Sequence, residues 1–551
     1  MRIILLFSAL LLWSSADLMA QGANCPRRYR ERVFNSVQVY RDVVFSKDAP
    51  KLLTASLGIE TTYNTDLVMD IYMPPPTDTV TNRPVVVLAH GGGFVNIAFM
   101  GGTVLVGTKD NEDIQALADT LAHWGYVAAS VEYRTGFDVL SGTSIKRAVW
   151  RGSQDVSAAI RFFRKNRQWF GIDPQRVFVG GSSAGAFASL HATFVDGAER
   201  IPESFEQTPI VMTDLGDLHS RPVVELTGFN PFTGNNVLGN DVDSIAQGVV
   251  AYWGAIAETN MLIGNNQAPT IMFHGTDDIV VDAECAQPFS SLILVAPVTC
   301  GTIPMDSAMS AIGLQHETYL EQGEGHEYWG ALNGDWLSSG PNAFWRDMIE
   351  KTSWFFHKLM RPATPQISGA SAAQPQSIQT YSIVNPPANM RYCWEVTNGT
   401  IVGNPPANAT SIQVLWSAQQ GLGSVRASAI DVAEAVSLQR VFNVNVNINA
   451  IGIEENSAEA NAQLLIAPNP VPDGSALTLR WTDGRTDTEN PVNIALYDLH
   501  ARRVYTIEIP AADLLTGGAA LPLPADLPTG IYSLHWQQGK RQGVEKLMLQ
   551  R

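Results

Sequence analysis

Between residues 21 and about 362, short apolar runs alternate with longer segments whose apolar positions recur every three to four residues. The short runs are Leu67–Tyr72, Val85–Ala89, Val127–Glu132, Val177–Gly180, Val249–Trp253 and Thr270–Phe273. Continuous apolar runs of this length predict strands buried on both faces. The periodic segments Ile114–Trp124, Ser144–Phe170, Gly185–Gly197 and Phe344–Met360 predict helices. Strand and helix in repetition predict an α/β domain, a mostly parallel sheet flanked by helices.

After Met360 the texture changes. Arg361-Pro-Ala-Thr-Pro-Gln366 reads as a Pro-punctuated linker. Residues 363–452 are rich in Ser, Thr, Val, Asn and Gln, with alternating runs such as Tyr392–Val396, Ser411–Trp416 and Val441–Ile448. They predict a small β-sandwich. The polar seam Gly452–Asn461 leads into further short strands, so 453–551 reads as a second β-sandwich. No repeat of solenoid length and no heptad pattern is present.

The chain of 551 residues exceeds one ordinary core, in keeping with these units. Its net charge is −17, with no block of Lys or Arg, which excludes a phosphate-backbone partner and argues against anionic membranes. Only 16% of residues are charged, against about 25% in average soluble proteins. Polar, uncharged β modules account for the deficit. Arg2 followed by the apolar run Ile3–Trp13 and small residues to Ala20 has the three parts of a secretory signal and is too short to span a bilayer. Residues 1–20 are therefore expected to be removed, leaving an exported chain without a membrane span. In an oxidising compartment Cys285 and Cys300 are expected to close a local disulfide, while Cys25 and Cys393 are left unpaired by this reading. No Cys/His spacing supports a metal site.

Chemistry is concentrated where strands end. Gly181-Ser182-Ser183-Ala184-Gly185 follows the run Val177–Gly180 and opens a helix, the context of a nucleophile elbow with Ser183 at its apex. Ser182 is the neighbouring rival. His90-Gly91-Gly92-Gly93-Phe94 also follows a buried strand, about ninety residues upstream. Three glycines in a row permit close approach of bare backbone, and the N–H groups of Gly92, Gly93 and Ala184 are candidate oxyanion donors. The segment lacks the Lys-Ser/Thr or GxGxxG pattern of a phosphate loop. His274-Gly275-Thr276-Asp277-Asp278 follows the strand Thr270–Phe273, and motif spacing favours Asp278 over Asp277 as the acid. His274, at the strand end, reads as structural. The order Ser, acid, His leaves His316, His326 and His357 as bases within this domain. His326 is favoured, because Gly323-Glu-Gly-His-Glu-Tyr328 is a Gly-flanked loop after a strand, whereas His357 has aromatic neighbours on a helix.

With these motifs, residues 40–360 resemble the α/β-hydrolase superfamily, in particular carboxylesterases carrying His-Gly-Gly-Gly-Phe. Val131-Glu-Tyr-Arg134 and Asp173-Pro174 before Arg176-Val-Phe-Val-Gly-Gly181 add to the likeness. Asn96–Asp110 departs from it by its length. Residues around Tyr381, Tyr392-Cys393-Trp394 and Ile412–Trp416 resemble a polycystic-kidney-disease-like, immunoglobulin-type module. Pro468-Asn-Pro470, Leu496-Tyr-Asp-Leu499, Leu527-Pro-Thr-Gly-Ile-Tyr532 and Lys546–Arg551 resemble the C-terminal sorting domain of the type IX secretion system. The resemblance implies the division 1–20, 21–362, 363–452 and 453–551, and export across the outer membrane of a Bacteroidetes-type bacterium. It also implies a serine carboxylic ester hydrolase acting through an acyl-enzyme, without cofactor, with acetyl or feruloyl esters of plant polysaccharides as candidate substrates. The alternatives are a prolyl-oligopeptidase-like peptidase, an aromatic polyester hydrolase and a non-catalytic surface binding protein. The first usually needs a propeller ahead of the catalytic domain, for which the roughly seventy residues between 21 and His90 leave no room. Asn96–Asp110 and Ile201–Asp241 are candidate lids.

Overall fold

The computed structural model describes residues 25–53, 61–95, 106–138, 140–195, 218–229, 232–239, 241–264, 266–290 and 295–448. In the C-terminal region it describes shorter stretches between 464 and 550. The expected signal segment 1–20 lies outside these residues, as do 96–105 and 201–217 of the two candidate lids.

Eight strands form one sheet: β1 (Gln38–Leu53), β2 (Thr61–Met73), β3 (Arg83–Ala89), β4 (Val127–Val131), β5 (Ile172–Ser182), then Gly248–Tyr252, Thr270–Gly275 and His316–Glu321. Their spatial order is β1, β2, β4, β3, β5, followed by the last three in sequence. The two pairings that involve β2 are antiparallel and the remaining ones in this sheet are parallel. Every residue of β3 and β4 is buried, as expected for strands covered by helices on both faces. After β3 the chain steps to one side to make β4, then crosses back to place β5 on the other side. The carboxyl ends of β3 and β5 therefore flank a topological switch point, where open α/β sheets bind ligands.

The helices are α1 (Glu112–His123), α2 (Gly142–Lys165), α3 (Arg167–Phe170), α4 (Ala184–Phe194), α5 (Thr302–Ile312) and α6 (Ala343–Met360). The single helix expected over Ser144–Phe170 is interrupted at Asn166. Its side-chain amide donates to the carbonyls of Phe162 and Val224, so a local polar bond replaces helix continuation. The sequence pattern missed β1, whose polar residues and three register shifts against β2 break the alternation. It also missed α5, which carries Pro304 in its first turn, where a proline is tolerated. The described part of the second candidate lid forms an antiparallel pair, Val223–Phe229 with Phe232–Val237. It lies against β1 and α2: Ser46 donates to Pro222, and Arg161 donates to the carbonyls of Arg221 and Leu238.

Beyond α6, two four-stranded sheets share a core that includes Tyr381, Trp394, Trp416 and Val444. This unit is fastened to the larger one. Cys25 and Cys393 form a disulfide, a pairing the sequence left open, since residues 368 apart in sequence give no local signal of contact. Nearby, the Tyr29 hydroxyl donates to the Ala433 carbonyl at 2.7 Å, Arg28 pairs with Glu434, Arg176 pairs with Asp431, and Ala435 is buried in the same cluster as Tyr29 and Phe356. The described strands between 464 and 550 form a three-stranded and a five-stranded sheet around Leu477, Leu496, Trp536 and Leu547. Among the described residues no helix is long and apolar enough to cross a membrane.

Candidate active site

Ser183 stands alone between the end of β5 and the start of α4, at φ +52° and ψ −119°. A non-glycine residue in that region is strained and persists only where its surroundings hold it. Here the Ser183 N–H donates to the Tyr252 carbonyl at 2.9 Å, and its own carbonyl accepts from the Phe187 N–H at 3.1 Å. The flanking glycines follow from close packing. A Cβ on Gly181 would lie 2.4 Å from the Ala89 carbonyl oxygen, and one on Gly185 only 2.1 Å from it. The elbow is thus pressed against the end of β3, and Ser183 is 3% exposed.

Two loops from the same sheet edge reach this serine. Asp278, after Thr270–Gly275, accepts the Val280 and Val281 N–H groups on Oδ1, each at 2.9 Å. On Oδ2 it accepts His326 Nδ1–H at 2.7 Å. The Ser183 hydroxyl donates to His326 Nε2 at 2.9 Å. Burial pushes the Asp278 carboxyl up, but hydrogen bonds from His274, His326 and the Val281 N–H outweigh it and hold the group well below the usual carboxylate range. Asp277 is exposed. A hydroxyl donating to an imidazole whose far nitrogen is held by a carboxylate has the geometry of an activated nucleophile.

The remaining histidines of this region are placed elsewhere. His274 is fully buried, with Nδ1 2.9 Å from Thr302 Oγ1 and Nε2 2.8 Å from the Val281 carbonyl. His316 bonds the Leu314 carbonyl, and His357 is buried on α6. Burial lowers His357 to about 3, a neutral imidazole.

In the glycine run, Gly92 and Gly93 take φ of +98° and +62°, which favours residues without a Cβ. The Tyr133 hydroxyl donates to the His90 carbonyl at 2.8 Å, and the His90 ring stacks on Tyr133. Gly93 and Ala184 line the same cleft as Ser183, whereas Gly92 does not. Two further features bear on His326. Trp253, also at positive φ, donates its indole N–H to Ser182 Oγ at 3.0 Å and sets its ring edge-to-face with His326. Behind the histidine, Glu327 and Asp113 are both buried carboxyls raised first by burial; the Glu327 charge raises Asp113 further. Among the described residues, no group of three or more His, Cys, Asp or Glu side chains is placed to hold a metal ion.

The cleft of about 520 Å³, counted to its open mouth, runs from Ser183 between two walls. Phe94, Phe137, Ile145, Val149 and Phe187 supply one group of wall residues, and Val281, Pro288, Phe289, Ala296, Pro297 and Thr299 the other. None of the described residues of the 201–241 segment lines it.

Residues 69–293 match the family model described as BD-FAE, a span that contains Ser183 and Asp278 but not His326. The chain is 34% identical over 155 residues to carboxylesterase 3B of Mus musculus, covering 27% of this chain and 25% of that protein. It is 31% identical over 122 residues to gut esterase 1 of Caenorhabditis elegans, covering 22% and 19%. The chain thus spans about a quarter or less of the length of these curated relatives. Among solved structures it is similar to a thermophilic esterase from Thermogutta terrifontis bound to propionate, at 18% identity and a TM-score of 0.34, covering 57% of this chain and 95% of that one. By its own strand order and its serine at the strand–helix turn, the large sheet has the α/β-hydrolase architecture.

Proposed function

We propose that the chain is an exported serine carboxylic ester hydrolase, with Ser183 as nucleophile, His326 as general base and acid, and Asp278 orienting the imidazole. The observation that carries this reading is the pair of hydrogen bonds, 2.7 and 2.9 Å, linking Asp278, His326 and Ser183, the last of which lines the cleft. As Ser183 Oγ attacks the ester carbonyl carbon, its proton passes to His326 Nε2. The N–H groups of Gly93 and Ala184, both on the cleft lining, stabilise the oxyanion. Collapse breaks the ester bond, His326 protonates the departing alcohol, and the acyl group stays on Ser183. Water, deprotonated by the same imidazole, then releases the acid and restores the serine. The matches to carboxylesterases support this chemistry over the peptidase alternative.

Export rests on the residue 1–20 pattern and on the likeness of 453–551 to a type IX sorting domain. The disulfides Cys25–Cys393 and Cys285–Cys300 support an oxidising destination. Acetyl or feruloyl esters of plant polysaccharides are the narrower form of the proposal, drawn from export and accessory β modules. The module at 363–448 offers no platform for stacking on sugars. Of its aromatic residues, Tyr381, Tyr392, Trp394 and Trp416 are buried and Phe442 packs on the core.

The test is turnover of p-nitrophenyl butyrate by the full chain, with labelling of Ser183 by an alkyl p-nitrophenyl phosphonate. Ser183→Ala should lower kcat by about 10⁴-fold or more and abolish labelling, and Asp278→Asn should lower it by about 10⁴-fold with the fold intact by circular dichroism. Full activity in Ser183→Ala would reject the assignment.

A further inference from the structure

We propose that Pro288, Phe289, Ala296, Pro297 and Thr299, held beside the Cys285–Cys300 disulfide, form an acyl pocket for unsubstituted hydrocarbon acyl groups of about four to eight carbons, and that Phe289 sets their length. The inference rests on the ester-hydrolase reading and competes with its acetyl or feruloyl form, which the experiment below separates from it.

The chemistry of the lining is the first observation. Among the described residues that line it, Thr299 carries the only hydroxyl apart from Ser183 itself, and none has a charged or amide side chain. An acetyl group would leave most of this apolar surface in contact with water. A hydroxylated aromatic acyl group would bury its phenol with few partners, which costs free energy that a hydrocarbon chain avoids. Each further methylene buried should raise kcat/KM about fourfold until the pocket is full.

The second observation is how the wall is held. Cys285 pairs with Cys300 and Ala286 with Thr299 as a short antiparallel bridge, and the two cysteines are joined by a disulfide. Cys300 exchanges backbone hydrogen bonds with Ile256, at 2.8 and 2.9 Å, which fixes the bridge to the segment after Gly248–Tyr252. Gln287 donates to the Ala296 carbonyl across the stretch. Within this frame Phe289 sits at φ +52°, and its N–H donates to the Val280 carbonyl at 2.8 Å. Its ring lies 3.1 Å from where a Cβ on Gly93 would stand. The Phe289 ring therefore touches the glycine run beside the serine while its backbone is bonded to the turn that carries Asp278. A strained residue gripped from both sides is placed to limit how far an acyl chain extends.

The experiment measures kcat/KM of the full chain for p-nitrophenyl acetate, butyrate, hexanoate and octanoate and for methyl ferulate. It is repeated with Phe289→Ala, Phe289→Leu and Ala296→Leu, and Ser183 labelling by the phosphonate counts competent sites in each. Butyrate or hexanoate should exceed acetate by about tenfold or more in the wild type. The octanoate-to-acetate ratio should rise about tenfold in Phe289→Ala, rise less in Phe289→Leu, and fall in Ala296→Leu, which fills the pocket from the facing side of the wall. Acetate or ferulate as the best wild-type substrate would overturn the proposal, as would a ratio unmoved by all three variants, while the hydrolase reading would stand. Absence of both turnover and labelling in the wild type would remove that reading and this proposal with it.

Discussion

Around Ser183 the backbone has no room to move: a Cβ on Gly181 or Gly185 would stand 2.4 or 2.1 Å from the Ala89 carbonyl oxygen, and every residue of α4 is buried. Across the cleft, Cys285 and Gln287 are exposed and Phe289 is half-buried. That wall is held by a disulfide and a few backbone bonds rather than by the sheet. The first wall is made by topology, since two adjacent strand ends must meet there. The second is a disulfide-stapled loop whose side chains can change without disturbing the sheet. Reaction geometry and substrate selection are thereby assigned to parts of different rigidity, as in folds whose loops vary on a fixed scaffold.

The largest effect that would sharpen this contrast is on the rigid wall. Gly185→Ala should destabilise the protein by about 4 kcal/mol or more, because its Cβ meets backbone and not a movable side chain. Urea unfolding of the full chain checks this, and a loss near 1 kcal/mol would show that the elbow tolerates more than its packing suggests. The double variant Cys285→Ser/Cys300→Ser should cost less, about 3 kcal/mol by the chain-entropy argument for a loop of 15 residues. A cost above that of Gly185→Ala would break the comparison.

The third effect belongs to α4 and is set by pH. His191 is buried, with Nδ1 2.7 Å from the Phe187 carbonyl and Nε2 accepting the Ala257 N–H at 3.1 Å. Burial lowers its pKa from 6.5 to about 4. The folded state therefore favours the neutral ring, and the unfolded chain binds the extra proton between these values. The associated stability is fully present above about pH 6.5 and is lost as pH falls towards 4, by up to about 3 kcal/mol. His191→Gln should flatten that part of the profile, read as the difference in unfolding free energy between variant and wild type at pH 7 and pH 4.5. An unchanged slope would mean that His191 does not titrate in this range.

The strand runs and most helices were legible because burial on both faces leaves continuous apolar stretches, and because α1, α2 and α6 keep a helical period. Ser183, Asp278 and His326 stood out for a related reason: each lies in a glycine-containing turn after a strand, so the order of strands orders the turns. β1 was not legible, since a strand with register shifts loses its two-residue alternation. Trp253 and Phe289 carry no motif; their importance comes from what they touch across 71 and 196 residues of sequence. The same holds for Cys25 and Cys393.

By itself the sequence determined the parallel α/β sheet, the serine at a strand–helix turn, the glycine run beside it and the change to β structure after Met360. These are properties of local pattern: which faces must be buried, and which turns only glycine permits. Only the tertiary structure decided that Cys25 joins Cys393, that Phe289 rests on Gly93, and that residues 431–435 dock against Tyr29 and Arg28. Those contacts join segments distant in the chain, and their geometry follows from the twist and order of the sheet, which no local pattern encodes.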